Sequence, residues 1–360
     1  MRARSLMKAK TIKAKVLELR KGKEELLRRE YENWQNYLRG DKTAQLFSAT
    51  KQQAERLLGR LKGKLKPNKE YPLILRRDVY RANTKLTPYW LKIPVYGVKG
   101  GINVPIKTHE PITDDMVCRE AKMIRKDNEW FVYITVEREV DERTPKSILA
   151  IDLGIRWIAT TVNSNNPKPK FYGMELRRVK GHFFWLRRTL SLKKAYKAIK
   201  KVGHKERRAV NDILHKISKA IVNEALENDS IIVLGDLKGI RRNGEGKGRR
   251  FNRKLNNGFP YYKLSQYIEY KARWLGIKVI KVNERNTSKV CHRCGFKGLR
   301  VGSLFKCPNC GYTCNADYNG AMNILKRAMG YMPIAGAALT QPTTRYDETL
   351  RVEEPRISWL

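Results

Sequence analysis

Hydrophobic positions in the early part of the chain follow two different periods. Apolar side chains recur at helical spacing in two basic stretches between about residues 16 and 63. Shorter segments then alternate apolar and polar positions between Gly, Pro and Asp clusters, as in residues 90–96 and 130–137. This pattern predicts a first lobe, residues 1–146, whose strands enclose a helical insertion at about 16–63.

The second lobe opens on an unbroken apolar run that ends on an acid. Residues 147–152 read Ser-Ile-Leu-Ala-Ile-Asp, which predicts a buried strand. A second apolar run at 157–162 predicts a hairpin around Gly154. The elements predicted next are a helix at about 209–227, a strand at 231–234, a helix at about 260–275, a strand at 277–282 and a helix from near Asp317. Residues 329–360 have little periodicity and are predicted to form a C-terminal tail.

The charge of the chain indicates what it binds. Lys and Arg number 76 against 35 Asp and Glu, which gives a net charge of +41 at pH 7. A net positive charge of this size predicts a polyanionic partner, and nucleic acid is the first candidate. A hydrophobic content of 41% excludes a disordered basic tail, because the chain can bury a core.

The densest basic segment lies at residues 177–208, which hold 13 Lys or Arg and one Glu, with four aromatic residues among them. Such a run is often only a solvated helix face, but this density with aromatic neighbours favours a track for a phosphate backbone. A second basic loop, residues 241–257, is also expected to contact nucleic acid. The candidate nucleic-acid-binding residues are Arg177, Arg178, Lys180, Arg187, Arg188, Lys193, Lys194 and Lys197.

The sequence predicts no membrane association. No apolar run approaches the roughly 20 residues of a spanning helix. The N-terminal Met-Arg-Ala-Arg-Ser-Leu-Met-Lys is too polar for a secretory signal. Four of the six cysteines share one pattern, which indicates a reducing compartment. We therefore expect a cytoplasmic, nucleoid-associated protein.

Four cysteines in two Cys-x-x-Cys pairs predict a structural zinc site. A loop of 12 residues separates the pairs, as in tetrahedral zinc ribbons. Gly295 and Gly311 directly follow the pairs and suit the positive φ of knuckle turns. Four free thiols would rarely fall at this double spacing. The predicted ligands are Cys291, Cys294, Cys307 and Cys310.

Several short motifs occur in a fixed order. They are Ile-Asp-Leu-Gly at 151–154, Ile-Val-Leu-Gly-Asp-Leu-Lys-Gly-Ile at 232–240, Thr-Ser-Lys at 287–289, the two cysteine pairs, and Asp-x-Asn-Gly-Ala-x-Asn-Ile at 317–324. The ordered set resembles the TnpB family of transposon-encoded, RNA-guided DNA nucleases, which are related to type V CRISPR effectors and Fanzor.

This resemblance implies a domain organisation. Residues 147–286 and 315–328 would form an α/β RNase H-like (RuvC) domain, with the zinc ribbon at 287–314 inserted before its last helix. The first lobe would be a β-barrel-like wedge lobe with a helical recognition insertion. The partners implied are a guide RNA and a double-stranded DNA target beside a short flanking motif.

The resemblance also implies a set of catalytic acids. Asp152 and Asp317 match two of three carboxylates that hold a pair of Mg²⁺ or Mn²⁺ ions for phosphodiester hydrolysis. An Asp at a helix start is more often an N-cap, but the motif around Asp317 favours a ligand.

The middle acid of the family pattern is missing. Members typically have Glu-Asp-Leu after the second core strand, and here that Glu position is Gly235. Asp236 should point away from Asp152, since adjacent strand residues face opposite sides. One reading is a nuclease-inactive RNA-guided DNA-binding protein or repressor. The other, which we favour, is relocation to Glu284 at the end of the neighbouring strand, although a Glu there is otherwise ordinarily solvated.

Overall fold

The computed structural model describes residues 5–62, 64–66, 69–85, 87–236, 260–284 and 286–329. The chain divides into two compact units, Arg4–Val140 and a second unit that begins at Asp141. This division falls a few residues before the boundary predicted at 146. The predicted basic loop at 241–257 and the predicted tail beyond Met329 lie outside the described residues.

A strand and two helices open the first unit. Strand β1 (Ser5–Val16) buries every second residue from Ile12 to Val16. Helices α1 (Lys21–Leu38) and α2 (Ser48–Leu61) confirm the predicted helices but begin later than expected, and for α1 the reason is that residues up to Val16 pair with a neighbouring strand. Strand β1 was not predicted from the sequence, although apolar residues alternate with lysines from Ile12 to Val16.

Six further strands complete the first unit: β2 (Leu73–Leu75), β3 (Arg81–Asn83), β4 (Tyr89–Ile93), β5 (Ile102–Thr108), β6 (Val117–Lys126) and β7 (Glu129–Asp141). The sheet has the order β2-β6-β7-β1-β5-β4-β3. Each pairing whose register is described is antiparallel. Strands β4 and β7 confirm the two alternating segments, while the barrel-like wedge stays a prediction.

Five strands form the central sheet of the second unit: β8 (Ser147–Asp152), β9 (Ala159–Asn163), β10 (Lys170–Tyr172), β11 (Ser230–Asp236) and β12 (Val279–Asn283). Their order is β10-β9-β8-β11-β12. Strands β8, β11 and β12 run parallel, and β9 is antiparallel to both of its neighbours. The predicted hairpin and the two later strands are therefore confirmed. The short β10 was missed, because no apolar run marks it.

Helices cover both faces of this sheet: α3 (Met174–Leu192), α4 (Tyr196–Glu227), α5 (Tyr261–Trp274) and α6 (Ala316–Met329). On one face, Leu149 and Ile151 share a core with α4 and α5. On the other face, Ile148 and Ala150 share a core with α6. Among the described residues, no helix combines the length and apolarity needed to cross a bilayer.

Side-chain alternation decides what faces α6 at the ends of the strands. Ala150 packs in the α6 core, so Asp152, two residues later in β8, faces α6 as well. In β11, Val233 packs in the same core, so Gly235 faces α6 and Asp236 faces the opposite side. This agrees with the expectation that Asp236 points away from Asp152.

A small three-stranded sheet precedes α6 in the second unit. Its strands are β13 (Leu299–Val301), β14 (Leu304–Lys306) and β15 (Thr313–Asn315), paired antiparallel in that order. Because β15 ends at Asn315 and α6 starts at Ala316, the small sheet runs directly into the helix that covers the central sheet.

Candidate functional site

Three carboxylates predicted from the sequence meet at one edge of the central sheet. Asp152 is the last residue of β8, Glu284 directly follows the parallel strand β12, and Asp317 lies in the first turn of α6. Burial and the nearby carboxylates of Glu284 and Asp317 raise the pKa of Asp152 well above its usual range, and Arg300 opposes this effect. Such mutual influence is expected when like charges share a poorly solvated site.

Two glycines allow α6 and the loop after β8 to approach these acids. A Cβ atom at Gly320 would lie 2.9 Å from the Cγ of Asp152, closer than packing allows. A Cβ atom at Gly154 would lie 3.4 Å from Oδ1 of Asp317 and 3.0 Å from a backbone oxygen. Both glycines belong to the motifs noted in the sequence, and their role is close approach to the carboxylates.

Gly235 and Glu284 share one position in space. A Cβ atom at Gly235 would overlap the carboxyl group of Glu284, so this carboxyl fills the volume that a side chain at 235 would occupy. The strands that carry the two residues are direct parallel neighbours, with Gly235 paired to Val282. Burial, with the charge of Asp236, raises the pKa of Glu284 to about 7, and Arg327 opposes this shift.

Several oxygen atoms in the cluster are buried without a hydrogen-bond partner. Among the described residues these include Oε1 of Glu284 and Oδ2 of Asp317. Oγ1 of Thr160 is also unpaired, and Thr160 is the cross-strand partner of Asp152, so both face α6. Unpaired buried carboxylate oxygens are costly unless they have a ligand. The all-oxygen donor set fits a hard divalent cation such as Mg²⁺ or Mn²⁺.

Two further residues at the site were not found from the sequence. Arg300, on β13 of the small sheet, donates from Nη2 to Oδ1 of Asp317 at 2.8 Å. Tyr261, at the start of α5, is buried, and its pKa is raised by burial and by the carboxylates of Asp152, Asp317 and Glu284. No motif marks either residue, because both reach the site from elements distant in sequence.

The four predicted zinc ligands lie together. Their Sγ atoms are all within 4.8 Å of one another. In each knuckle the amide of the following glycine donates to the carbonyl of the first cysteine, from Gly295 to Cys291 at 2.9 Å and from Gly311 to Cys307 at 3.1 Å. Both glycines have positive φ, 78° and 71°, as the sequence predicted. Four thiols in this arrangement can hold one metal ion such as zinc.

The first knuckle is bound to α6 by two asparagines of the last motif. Asn319 and Asn323 each donate to the carbonyl of Val290, at 2.7 and 2.8 Å, and Asn323 also donates to that of Thr287. Oδ1 of Asn319 accepts from the amide of His292 at 2.9 Å. The helix that carries Asp317 is thus held directly to the cysteine site.

The basic track predicted at 177–208 forms the helical hairpin of α3 and α4. Lys180 and Arg187 form ion pairs with Glu206 of α4, so they brace the hairpin. Burial and the adjacent Arg187 lower the pKa of Lys180. The other six candidates are exposed: Arg177, Arg178, Arg188, Lys193, Lys194 and Lys197.

Comparison with known proteins identifies the fold. A family model described as a probable transposase matches residues 131–239, and a model described as a Cas12f1-like TNB domain matches residues 261–324. In a cryo-EM structure of a Cas12f1–sgRNA–target DNA complex, the Cas12f1 chain matches 84% of this chain over 80% of its own length. The TM-score is 0.57 at 15% identity. The fold is therefore that of the Cas12 effectors.

Proteins related in sequence identify the family to which the chain belongs. A TnpB-like protein of Methanocaldococcus jannaschii is 31% identical over 217 residues, which cover 57% of this chain and 77% of the relative. The chain belongs to the TnpB-like family. The CRISPR-associated endodeoxyribonuclease Cas12f1 of Sulfoacidibacillus thermotolerans is 33% identical over 218 residues. That match covers 55% of this chain and half of the relative's length.

Proposed function

We propose that this chain is an RNA-guided endonuclease that cleaves double-stranded DNA beside a short flanking motif. The observation that carries the proposal is the carboxyl of Glu284, which occupies the space over Gly235 beside Asp152. The chain thereby keeps three acids, two at strand ends and one at the start of α6, although the usual middle position has no side chain. Relatives named as endodeoxyribonucleases support this reading.

Asp152, Glu284 and Asp317 would hold the catalytic Mg²⁺ or Mn²⁺. When bound, the metal supplies charge stabilisation and an activated water for attack on a phosphodiester. Burial keeps these carboxylates in a site of low dielectric, where their charge acts strongly on a bound cation or phosphate. The unpaired oxygens of Glu284 and Asp317 are ready to bind without losing a protein partner.

Two neighbours would assist. The guanidinium of Arg300 bonds Asp317 and can exchange this partner for a phosphate oxygen of the scissile strand. The hydroxyl of Thr160 has no partner among the described residues and can donate to a water or phosphate oxygen in the site. Both groups act by position and charge, as expected for phosphodiester chemistry.

The remaining architecture is proposed on the same grounds. Residues 147–286 and 315–328 would be the RuvC-like nuclease domain, residues 287–314 a zinc ribbon, and the first unit the wedge lobe. The guide RNA and target DNA would account for the charge of +41, with the six exposed basic residues of the α3–α4 hairpin as one contact.

A guided cleavage assay tests the proposal. RNA that copurifies with the protein would be sequenced, and a matching DNA target would be offered with and without Mg²⁺. We expect one enriched RNA, cleavage only in the presence of metal, and no cleavage by Asp152→Ala with target binding retained. Copurification of only a random mixture of host RNA would contradict the proposal that the protein binds a guide RNA.

The second candidate function is a guided DNA-binding protein without nuclease activity, which the missing acid at Gly235 favours. It predicts sequence-specific binding by the parent protein and no cleavage in either Mg²⁺ or Mn²⁺. Cleavage by the parent eliminates it.

A further inference from the structure

The α3–α4 hairpin extends past the edge of the sheet that carries the carboxylates. In α3 the contacts to the sheet-side core end at Val179, and in α4 they begin again at Val210. The segment between these two residues lies beyond the C-terminal ends of the parallel strands, where the carboxylates are. This follows from chain direction, because α4 runs from that end of the sheet to the start of β11. The 13 residues from 180 to 192 span roughly 20 Å at 1.5 Å per residue.

One face of this projecting helix combines an aromatic ring with positive charge. Arg178, Gly181, Trp185, Arg188 and Leu192 follow one another at intervals of three or four residues, so they form one stripe, and all are exposed. Trp185 is 62% exposed and Leu192 is 79% exposed. Neither arginine has an ion-pair partner in the part of the chain that the structure describes.

Gly181 leaves part of this face without a side chain. A Cβ atom at Gly181 would meet none of the described atoms within 4 Å, so the surface there is open. Its missing side chain leaves bare helix surface one turn from Trp185, where a flat group can approach the indole ring.

We propose that this stripe, the Trp185 face, binds single-stranded DNA of the strand that approaches the carboxylates. One unpaired base stacks on Trp185 over Gly181, and Arg178 and Arg188 contact the flanking phosphates. Aromatic rings set in a positive groove are the usual platform for single strands, and paired bases cannot stack in this way.

Two observations select this occupant. The hairpin projects beyond the end of the strands at which the carboxylates lie, so a DNA strand that enters the acid cluster from that end would pass the hairpin. A second copy of the chain would bring another hairpin with 13 Lys or Arg and a single Glu against the first, and the two would repel. The inference rests on the proposed function, because it assumes a DNA substrate.

The test uses the full-length protein with its guide RNA and the Asp152→Ala substitution, so that binding is measured without cleavage. Targets carry 2-aminopurine at successive positions of each strand around the cut region, and a second assay titrates an unlabelled single strand. Trp185→Ala and Trp185→Phe are compared with Met7→Ala, which removes a 56% exposed apolar side chain from β1, outside this face.

We expect one 2-aminopurine position to be quenched by the parent and released by Trp185→Ala. The same substitution should weaken single-strand binding by about tenfold, because the stacking of one base on the indole ring is lost. Trp185→Phe should retain most of both signals, and Met7→Ala should change neither.

Other results would overturn the inference. Quenching that is unchanged in Trp185→Ala means that no base stacks there. Weaker guide-RNA binding in Trp185→Ala assigns the face to RNA, and loss of a concentration-dependent dimer assigns it to a second copy. If the protein with Asp152 intact never cleaves but the quenching persists, the proposed nuclease function fails while the Trp185 face stands.

Discussion

Gly235 and Glu284 lie on neighbouring strands, and the side chain of one fills the space beside the other. A carboxyl attached at 235 would emerge from β11, whereas the carboxyl of Glu284 reaches the same space from the end of β12. Parallel neighbours lie only about 4.8 Å apart, so a long side chain spans the gap. The carboxyl of Glu284 fits there only because position 235 has no side chain.

Substitution at Gly235 therefore acts through Glu284. We expect Gly235→Ala to displace the Glu284 carboxyl and reduce cleavage by roughly 10–100-fold, as for other changes that misplace a metal ligand. Glu284→Ala should abolish cleavage and leave target binding intact. Adding Gly235→Glu to Glu284→Ala should restore part of the activity, because it refills the usual position.

Cleavage rates and target affinities measure these effects. Gly203→Ala is the matched control, since a Cβ atom at Gly203 would meet none of the described atoms within 4 Å. Relocation of the acid is wrong if Glu284→Ala cleaves as fast as the parent.

The acid cluster also predicts a pH dependence of stability in the metal-free protein. The pKa of Glu284 is about 7 in the fold against its ordinary value of 4.5, so the folded state binds the proton more tightly between these values. This contribution to the free energy of unfolding is full at low pH and is lost as the pH rises through about 7. Unfolding of the parent and Glu284→Gln should be compared from pH 4 to 8 in chelator. A difference between them that does not change with pH would contradict the prediction, and Mg²⁺ should restore stability to the parent at high pH.

At the scale of elements, the small sheet and α6 act on the carboxylates together. Strand β13 supplies Arg300 to Asp317, and α6 carries both Asp317 and the asparagines that hold the first knuckle. The cysteine site is therefore linked to the acid cluster through α6 and β13. Loss of the metal from the cysteines should displace the carboxylates.

Removal of two cysteines tests this coupling. Cys291→Ser with Cys307→Ser should eliminate the roughly one zinc ion expected per chain and strongly reduce cleavage, while guide-RNA binding persists. Elemental analysis and the guided cleavage assay provide the measurements. Cys118→Ser, on β6 in the first unit, should keep both zinc and activity. Full activity in the zinc-free double variant would show that the acid cluster does not depend on the cysteine site.

At the scale of the whole molecule, the net charge of +41 should dominate affinity for nucleic acid. Six exposed basic residues on the α3–α4 hairpin are available for phosphates, whereas Lys180 and Arg187 are engaged with Glu206. Charge count alone therefore overstates what the hairpin offers a partner.

Salt titration distinguishes the two groups of residues. Replacing Lys193 or Lys194 by Gln should lower the slope of log affinity against log salt by about one each, through loss of a phosphate contact. Lys216→Gln is the control, because Lys216 is exposed but paired with Asp212 at 2.8 Å. Arg187→Gln should instead lower the melting temperature, since it weakens the pairing of the buried Glu206. Equal slopes in Lys193→Gln, Lys194→Gln and the parent would show that the hairpin is not part of the nucleic-acid-binding surface.

The sequence by itself determined the features that depend on residues close to one another along the chain. The cysteine knuckles follow from local spacing and two glycines, and β8 and β11 follow from unbroken apolar runs. The positions of Asp152 and Asp317, one ending a strand and one beginning a helix, were predicted for the same reason. The alternation of apolar residues and lysines in β1 was also local, but no strand was predicted there.

Only the tertiary structure decided how distant segments meet. The approach of Glu284 to Gly235, the contact of Arg300 with Asp317 and the burial of Tyr261 beside the acids each join residues on separate elements. Local patterns carry no record of such contacts, because sheet order and helix packing set them. The sequence left two readings open at Gly235, and the parallel pairing of β11 with β12 brings the carboxyl of Glu284 over that glycine.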